Sequence, residues 1–266
     1  MTDKKIVLVT GGNTGLGFQI IRAISRSEIN YEILLAGRSL EKAQAAVKEA
    51  IAEYPSIKGR ISPIQVDIED DASIEATFQQ VKAQYGRLDA LVNNAGAQFD
   101  PLLRTGQMTM REVWNKSWNT NTTGTYIMTH TFVPLLLESR DPRLLFITSG
   151  TSTIAGTGNT ALPVNRVPPK GWPKDGQINL PAYRSSKTGM NMMMREWYRV
   201  LQEDGVKVWG ISPGFLATGL GGNPEMNKKL GGADPALGGE FIKEVLEGQR
   251  DADVGRVILR EGVQPW

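Results

Sequence analysis

The sequence predicts a doubly wound α/β domain, in which one parallel sheet of about seven strands is covered by helices on both faces. Three observations carry that expectation. Strand-like and helix-like segments alternate along nearly the whole chain, and most strand segments are continuous apolar runs rather than polar–apolar alternations. The third is TGGNTGLG, Thr10 to Gly17, a glycine-rich turn set between the first strand and the first helix.

KIVLVT, Lys5 to Thr10, is a run of β-formers, and Phe18, Ile20, Ile21 and Ile24 follow it with the spacing of one helix face. YEILLAG (Tyr31 to Gly37) gives a second strand, and a helix follows from Ser39, a capping residue, to about Glu53. RISPIQVD (Arg60 to Asp67) is the third strand, with its helix from Asp70 to Tyr85. LDALVN (Leu88 to Asn93) is the fourth. A long helical region from Thr109 to about Leu137 leads to the fifth strand, RLLFITS (Arg143 to Ser149). An excursion rich in Gly, Pro and Asn then runs from Gly156 to Pro181, and helix resumes from Ala182 to about Glu203. VKVWGIS (Val206 to Ser212) is the sixth strand. Gly214 to Asp234 reads as irregular, Pro235 to Leu246 as helix, and GRVILRE (Gly255 to Glu261) as the seventh strand.

At 266 residues the chain suits one large α/β domain, 1–266, and no linker composition divides it. A net charge of +2 without a basic stripe argues against a nucleic-acid binder. The absence of cysteine excludes disulfides, thiolate metal sites and cysteine catalysis, and the single histidine, His130, lacks the neighbours of a zinc motif. MTDKK leads directly into the first strand and no apolar run reaches membrane-spanning length, so the expectation is a soluble, cytoplasmic protein with no membrane partner.

In this architecture ligands bind at the carboxyl ends of the strands, and the distinctive residues fall there. Glycines in the first turn let the backbone approach a pyrophosphate, and the helix N-terminus offers free N–H groups to an anion, which predicts a dinucleotide ligand. After later strands come Arg38, Asp67, NNAG (Asn93 to Gly96), Ser149 and PGFLAT (Pro213 to Thr218). Helices add Asn121 and the pair Tyr183 and Lys187, four apart and therefore on one helix face.

TGxxxGxG, NNAG, the strand-ending serine, YxxxK and the PG turn occur in the order of the short-chain dehydrogenase/reductase family, and the chain resembles that family over essentially its whole length. RSSKTGMN and EGVQPW look most like NADPH-dependent reductases of fungal secondary metabolism. The resemblance implies a Rossmann-like fold and a carbonyl reductase or alcohol dehydrogenase acting on a small carbonyl or alcohol. In it Tyr183 gives or takes the proton, Lys187 binds the nicotinamide ribose, Ser149 hydrogen-bonds the substrate oxygen, and Asn121 positions a water for a proton relay. A nearby ammonium and the oxidised nicotinamide would lower the phenol pKa from its usual ~10. Thr148, Thr151 and Ser152 are rivals to Ser149, which holds the family's position.

By the same resemblance Gly11, Asn13, Thr14, Gly15, Leu16 and Gly17 surround the pyrophosphate, Asp67 and Ile68 border the adenine, and Asn93, Ala95 and Gly96 lie beneath it and the ribose. Pro213, Gly214 and Thr218 hold the carboxamide. An NAD site would place an acid at the end of the second strand, where this chain has Gly37 and Arg38. A guanidinium there pairs with a 2′-phosphate, so the cofactor expected is NADP(H). Structural readings stand beside these, since Asn93 and Asn94 also suit turn bracing and Arg38 a solvated helix start.

The excursion 156–181, with Pro163, Pro168, Pro169, Pro173 and Pro181, is expected either to shape the pocket, with Trp172 as an apolar wall, or to cover the helix that pairs subunits in relatives, leaving homodimer and homotetramer open. Residues 219–234, with glycines near both ends, are expected to form a mobile lid. Gln98, Phe99, Thr151, Trp172, Phe215 and Met226 are the candidate substrate lining. The competing function is an NADP-binding protein without redox turnover, a sensor or a cyclase-type scaffold. Relatives of that kind usually lose the serine, tyrosine or lysine, and this chain keeps all three.

Overall fold

The computed structural model describes residues 4–174 and 178–266, so the first three residues of MTDKK and residues 175–177 of the 156–181 excursion lie outside the described residues. The strands are β1 (Lys5–Thr10), β2 (Tyr31–Gly37), β3 (Ile61–Gln65), β4 (Ala90–Asn93), β5 (Arg143–Ile147), β6 (Lys207–Ile211) and β7 (Val257–Ile258). They pair in the order β3-β2-β1-β4-β5-β6-β7, and every pairing is parallel. Val7 stands opposite Ile33 on one side and Ala90 on the other. The strand order reverses at β1 and β4, which makes the gap beyond their carboxyl ends the natural ligand crevice.

The helices are α1 (Gly15–Ser25), α2 (Leu40–Glu53), α3 (Asp71–Tyr85), α4 (Asp100–Arg104), α5 (Met110–Trp118), α6 (Gly124–Leu136), α7 (Pro181–Leu201), α8 (Pro224–Lys229) and α9 (Pro235–Leu246). Because alternate side chains of a strand point to opposite faces, β1 sends Val7 and Val9 into a core with α1, α2 and α9, and Ile6 and Leu8 into a second core with α3, α6 and α7. β2 is buried along its whole length, as an interior parallel strand must be. Among the described residues no helix is long and apolar enough to cross a membrane.

Several boundaries differ from the sequence expectation for identifiable reasons. The seventh strand pairs over two residues only, because Leu259 N–H closes a turn on the Gly262 carbonyl and Val263 then bridges back, antiparallel, to Ile258. The predicted helix from Thr109 to Leu137 is broken by one wide turn of the π type at Asn119–Thr123, a local form often found at functional sites. Residues 214–234 are not wholly irregular. Asn223 caps α8 by accepting from Met226 N–H at 2.7 Å, and Pro224 occupies its first position. Helices of one or two turns, such as α4 and α8, are too short for apolar periodicity to reveal. Pro181 starts α7 rather than stiffening the excursion.

Candidate active site

The turn after β1 needs its glycines. Gly11 and Gly15 have φ of +63° and +54°, and a Cβ on Gly17 would lie 2.1 Å from the Gly11 carbonyl oxygen. The turn is locked to the neighbouring β4 exit by Asn94, whose side-chain amide donates to the carbonyls of Thr10 (2.8 Å) and Gly11 (3.2 Å). The Thr10 hydroxyl accepts from Asn94 N–H (3.0 Å) and Ala95 N–H (2.9 Å). Neither Thr10 nor Asn94 was singled out as a ligand contact from the sequence, and both act by shaping the turn. Thr14 is the N-cap of α1 without a side-chain capping bond, so the first N–H groups of α1 are left for an anion. Leu16 packs its side chain against α9 near Gly238, leaving only its backbone for a ligand.

Asn13 lies over the end of β2, its Oδ1 2.9 Å from where a Gly37 Cβ would be, so a larger residue at 37 would push the Asn13 side chain aside. Arg38, next in the chain, is exposed, and among the described residues its guanidinium has no hydrogen-bond or ion-pair partner. On the far side Asp67 accepts from Glu69 N–H at 3.0 Å, and Ile68 is buried with its carbonyl against Gly124. The Asn93 side chain turns away from the crevice, donating to the Thr129 hydroxyl on α6 at 3.0 Å. That is the bracing role. Ala95 abuts Gly11, and Gly96 is exposed at the crevice floor.

Lys187 and Asn121 meet beside Gly96, and Ser149 stands by Tyr183, one helical turn before Lys187. Tyr183 and Lys187 are both buried on α7, whose N-terminus lacks a capping side chain of its own. Asp100 of α4 supplies one from a distance, its two carboxylate oxygens accepting from Ala182 and Tyr183 N–H at 3.1 Å each. No local pattern signals a cap 82 residues away. The Ser149 hydroxyl stands near enough to the Tyr183 phenol to act against the rise in its pKa, and it lies 3.0 Å from the Thr151 hydroxyl. Thr148 and Ser152, the rival hydroxyls, are buried in contacts with Asn191 instead. The Lys187 amino group donates to the Ile147 carbonyl at 2.8 Å and lies 3.1 Å from the position of a Gly96 Cβ, with Asn121 Oδ1 3.0 Å from the same point. An ammonium carries three donors, so Lys187 retains capacity toward the crevice.

Asn121 is fully buried in the wide turn. Its Oδ1 accepts from Ala97 N–H (2.8 Å), and its Nδ2 donates to the Ala97 carbonyl (2.9 Å) and the Ser186 hydroxyl (3.0 Å). The side chain therefore clamps the β4 exit to α7. Of its acceptor capacity one Oδ1 lone pair remains, on the side of Lys187.

The protein's own electrostatics supply only part of the picture expected for the phenol. Among the protein's own groups the balance raises the Tyr183 phenol pKa rather than lowering it: burial dominates, the Ser149 hydrogen bond opposes it, and the Asp100 charge adds to it. Burial also pulls Lys187 down to about 7, so its charge is easily lost and offers the phenol little support.

Beyond β6, Pro213 is buried and Gly214 exposed, with φ of +96° at Gly214. Thr218 lies 3.7 Å from where a Gly15 Cβ would be, which brings this segment across the glycine turn. Residues 219–234 leave and return through a bridge between Leu216 and Ala233, and the buried Asn227 amide donates to the carbonyls of Thr218 (2.7 Å) and Leu220 (3.1 Å). Gly221 rests against the Gln98 side chain. Arg184 ties the first part of the excursion to the site, donating to Thr151 O (3.0 Å), Val164 O (3.1 Å) and Asn165 Oδ1 (2.9 Å). Trp172 is 88% exposed, so among the described residues it forms no apolar wall of the kind that one of the two readings of the excursion gave it. Phe215 and Met226 are also exposed, whereas Phe99 and Thr151 are half-buried. His130 sits on the exposed face of α6, stacked with Tyr126, in a surface role.

The glycine cradle, the open end of α1, the unpaired Arg38 and the spare donors of Lys187 fit a dinucleotide with an additional phosphate. A family model described as short chain dehydrogenase matches residues 5–161 and 172–229, leaving out only the middle of the excursion within that span. The chain is 45% identical, over all of its length and 99% of the relative's, to short-chain dehydrogenase/reductase tropE of Talaromyces stipitatus. It is 44% identical to short-chain dehydrogenase/reductase eupG of a Phoma species, over 99% of this chain and 98% of that one. Among solved structures, the NADPH-bound carbonyl reductase from chicken fatty liver superposes with a TM-score of 0.77 at 22% identity, covering 98% of this chain and 99% of that one.

Proposed function

This chain belongs to the short-chain dehydrogenase/reductase family, and from that premise we propose that it is an NADPH-dependent reductase of a small carbonyl compound, with Tyr183 as proton donor. The observation that carries the reading is the group at the crevice: a buried tyrosine beside the half-buried Ser149, with the buried Lys187 one helical turn along.

NADPH, when bound, supplies the hydride. The protein does the rest. Free N–H groups at the start of α1 receive the pyrophosphate, and Arg38 receives the 2′-phosphate. Lys187 donates to the ribose hydroxyls. Ser149 donates to the substrate oxygen and holds it beside the Tyr183 phenol. Because burial keeps that phenol protonated, Tyr183 is ready to give its proton to the developing alkoxide. Lys187 and the remaining Asn121 lone pair then flank a position for a water that returns the proton. Reduction therefore needs no alkaline medium. Alcohol oxidation, which needs the phenolate, should accelerate as pH rises through the alkaline range, and initial rates in both directions against pH check this.

NADPH consumption with a panel of ketones and aldehydes tests the activity, and no consumption with any of them would count against it. Arg38→Asp tests the phosphate assignment. A charge-assisted pair contributes about 1.5–3 kcal/mol, so the variant should lower the preference for NADPH over NADH roughly 10- to 100-fold. An unchanged affinity ratio would remove Arg38 from the phosphate site. We assign residues 219–232 to a lid hinged at the Leu216–Ala233 bridge. Amide exchange there should slow when NADPH binds and slow again with substrate, whereas equal exchange in all three states would show a static segment.

A further inference from the structure

We infer that Gln264, near the end of the chain, is a positioning residue for Ser149, so that the last residues set the geometry of the group that holds the substrate oxygen. The inference rests on the reading of Ser149 given above.

Ser149 follows β5 at the edge of the crevice, where its backbone would be free to move unless held. Three donors hold its carbonyl: Ser152 N–H at 3.1 Å, the Ser152 hydroxyl at 2.6 Å and the Gln264 side-chain amide at 3.2 Å. The first two are local to the turn. Gln264 is the one anchor that comes from elsewhere in the chain, 115 residues on. It is itself fixed, since its side chain is only 3% exposed and its N–H donates to the Val257 carbonyl of β7 at 2.8 Å. Two residues further on, the Trp266 carbonyl accepts from Ala155 N–H (2.6 Å) and the Thr153 hydroxyl (3.2 Å). The tail is thus pinned to β7 on one side and to the Ser149 turn on the other.

The amide also reaches the Ser152 hydroxyl at 3.3 Å, which receives the Asn191 amide at 2.9 Å and lies 3.1 Å from the Thr148 hydroxyl. Asn191 is one helical turn beyond Lys187 and two beyond Tyr183. One buried network therefore joins the tail, the end of β5 and the helix that carries the tyrosine. The orientation of Gln264 points the same way. Its NH2 group faces two oxygens, while its Oε1 is buried and has no partner among the described residues. A buried unpaired acceptor is unfavourable, so the side chain is held for its donor and not for general solvation.

The test compares Gln264→Met, Ser149→Ala and the double variant, all folded by melting temperature, on a carbonyl compound that the wild type reduces. Misplacing a reacting group by about 1 Å costs on the order of 10²-fold, so Gln264→Met should lower kcat roughly 10- to 100-fold with KM for NADPH unchanged. If Gln264 acts through Ser149, adding Gln264→Met to Ser149→Ala should cost nothing more. Wild-type kcat in Gln264→Met, or losses in the double variant that multiply, would overturn the inference. Wild-type kcat in Ser149→Ala would instead overturn the reading of the serine. Should Gln264→Met not fold, Gln264→Asn draws the amide back by one methylene, with the same loss expected and wild-type kcat again decisive against it.

Discussion

Tyr183→Phe should lower kcat by about 10²–10⁴-fold, the range that a positioned general acid contributes, while leaving NADPH affinity within about twofold. Only the hydroxyl is removed. The ring stays in its buried place on α7, and the residues assigned to the cofactor are untouched. A loss confined to kcat is the signature of an interaction made in the transition state. Steady-state kinetics and a fluorescence titration of NADPH check it, and retention of most of the turnover would remove Tyr183 from the proton transfer.

Lys187→Met should fail in two ways at once. Methionine fills the buried volume beside Met190 without a charge or a donor, so kcat should fall about 10²-fold through loss of the proton route. NADPH affinity should fall roughly tenfold or more with loss of the ribose contact. The wild type should also show a pH dependence that the variant lacks. Burial places the free amino group at about 7, so it is mostly charged below that pH and mostly neutral above it. A cofactor that favours the ammonium form binds best at the acid side, and its affinity should decline as pH rises past 7. The same decline in Lys187→Met would assign the titration to another group.

Much of this was legible in the sequence because strand runs and turn residues act locally. β1, β2 and α9 fall at the expected residues, α2 starts one residue after its expected cap, Ser39, and α3 starts one residue after Asp70, the expected first helical residue, which caps it instead. The glycine turn, YxxxK and the strand-end serine are contiguous or periodic patterns, and the fold brings them to one crevice. What escaped is non-local. Asp100 caps α7 and Gln264 braces Ser149, each through contacts spanning many residues that no short pattern records. Asn93 is the last residue of β4, and its side chain faces α6, because a residue's position at a strand end does not fix which face it serves. A helical spacing shows that Tyr183 lies near a lysine but not the burial that, among the protein's own groups, raises the phenol pKa and lowers that of the lysine. Trp172 could not be placed from sequence, since an aromatic in a proline-rich excursion carries no periodicity to say whether it turns inward.

The central claim is hydride transfer from NADPH to a carbonyl carbon at this site. NADPH carrying deuterium at nicotinamide C4, incubated with the enzyme and a carbonyl compound from the panel, tests it most directly by mass spectrometry of the alcohol. The account predicts one deuterium on the carbinol carbon, from one face only, and none with Tyr183→Phe over the same time. Alcohol formed without deuterium from either C4-labelled form of NADPH, or labelled alcohol formed equally fast by Tyr183→Phe, would contradict it.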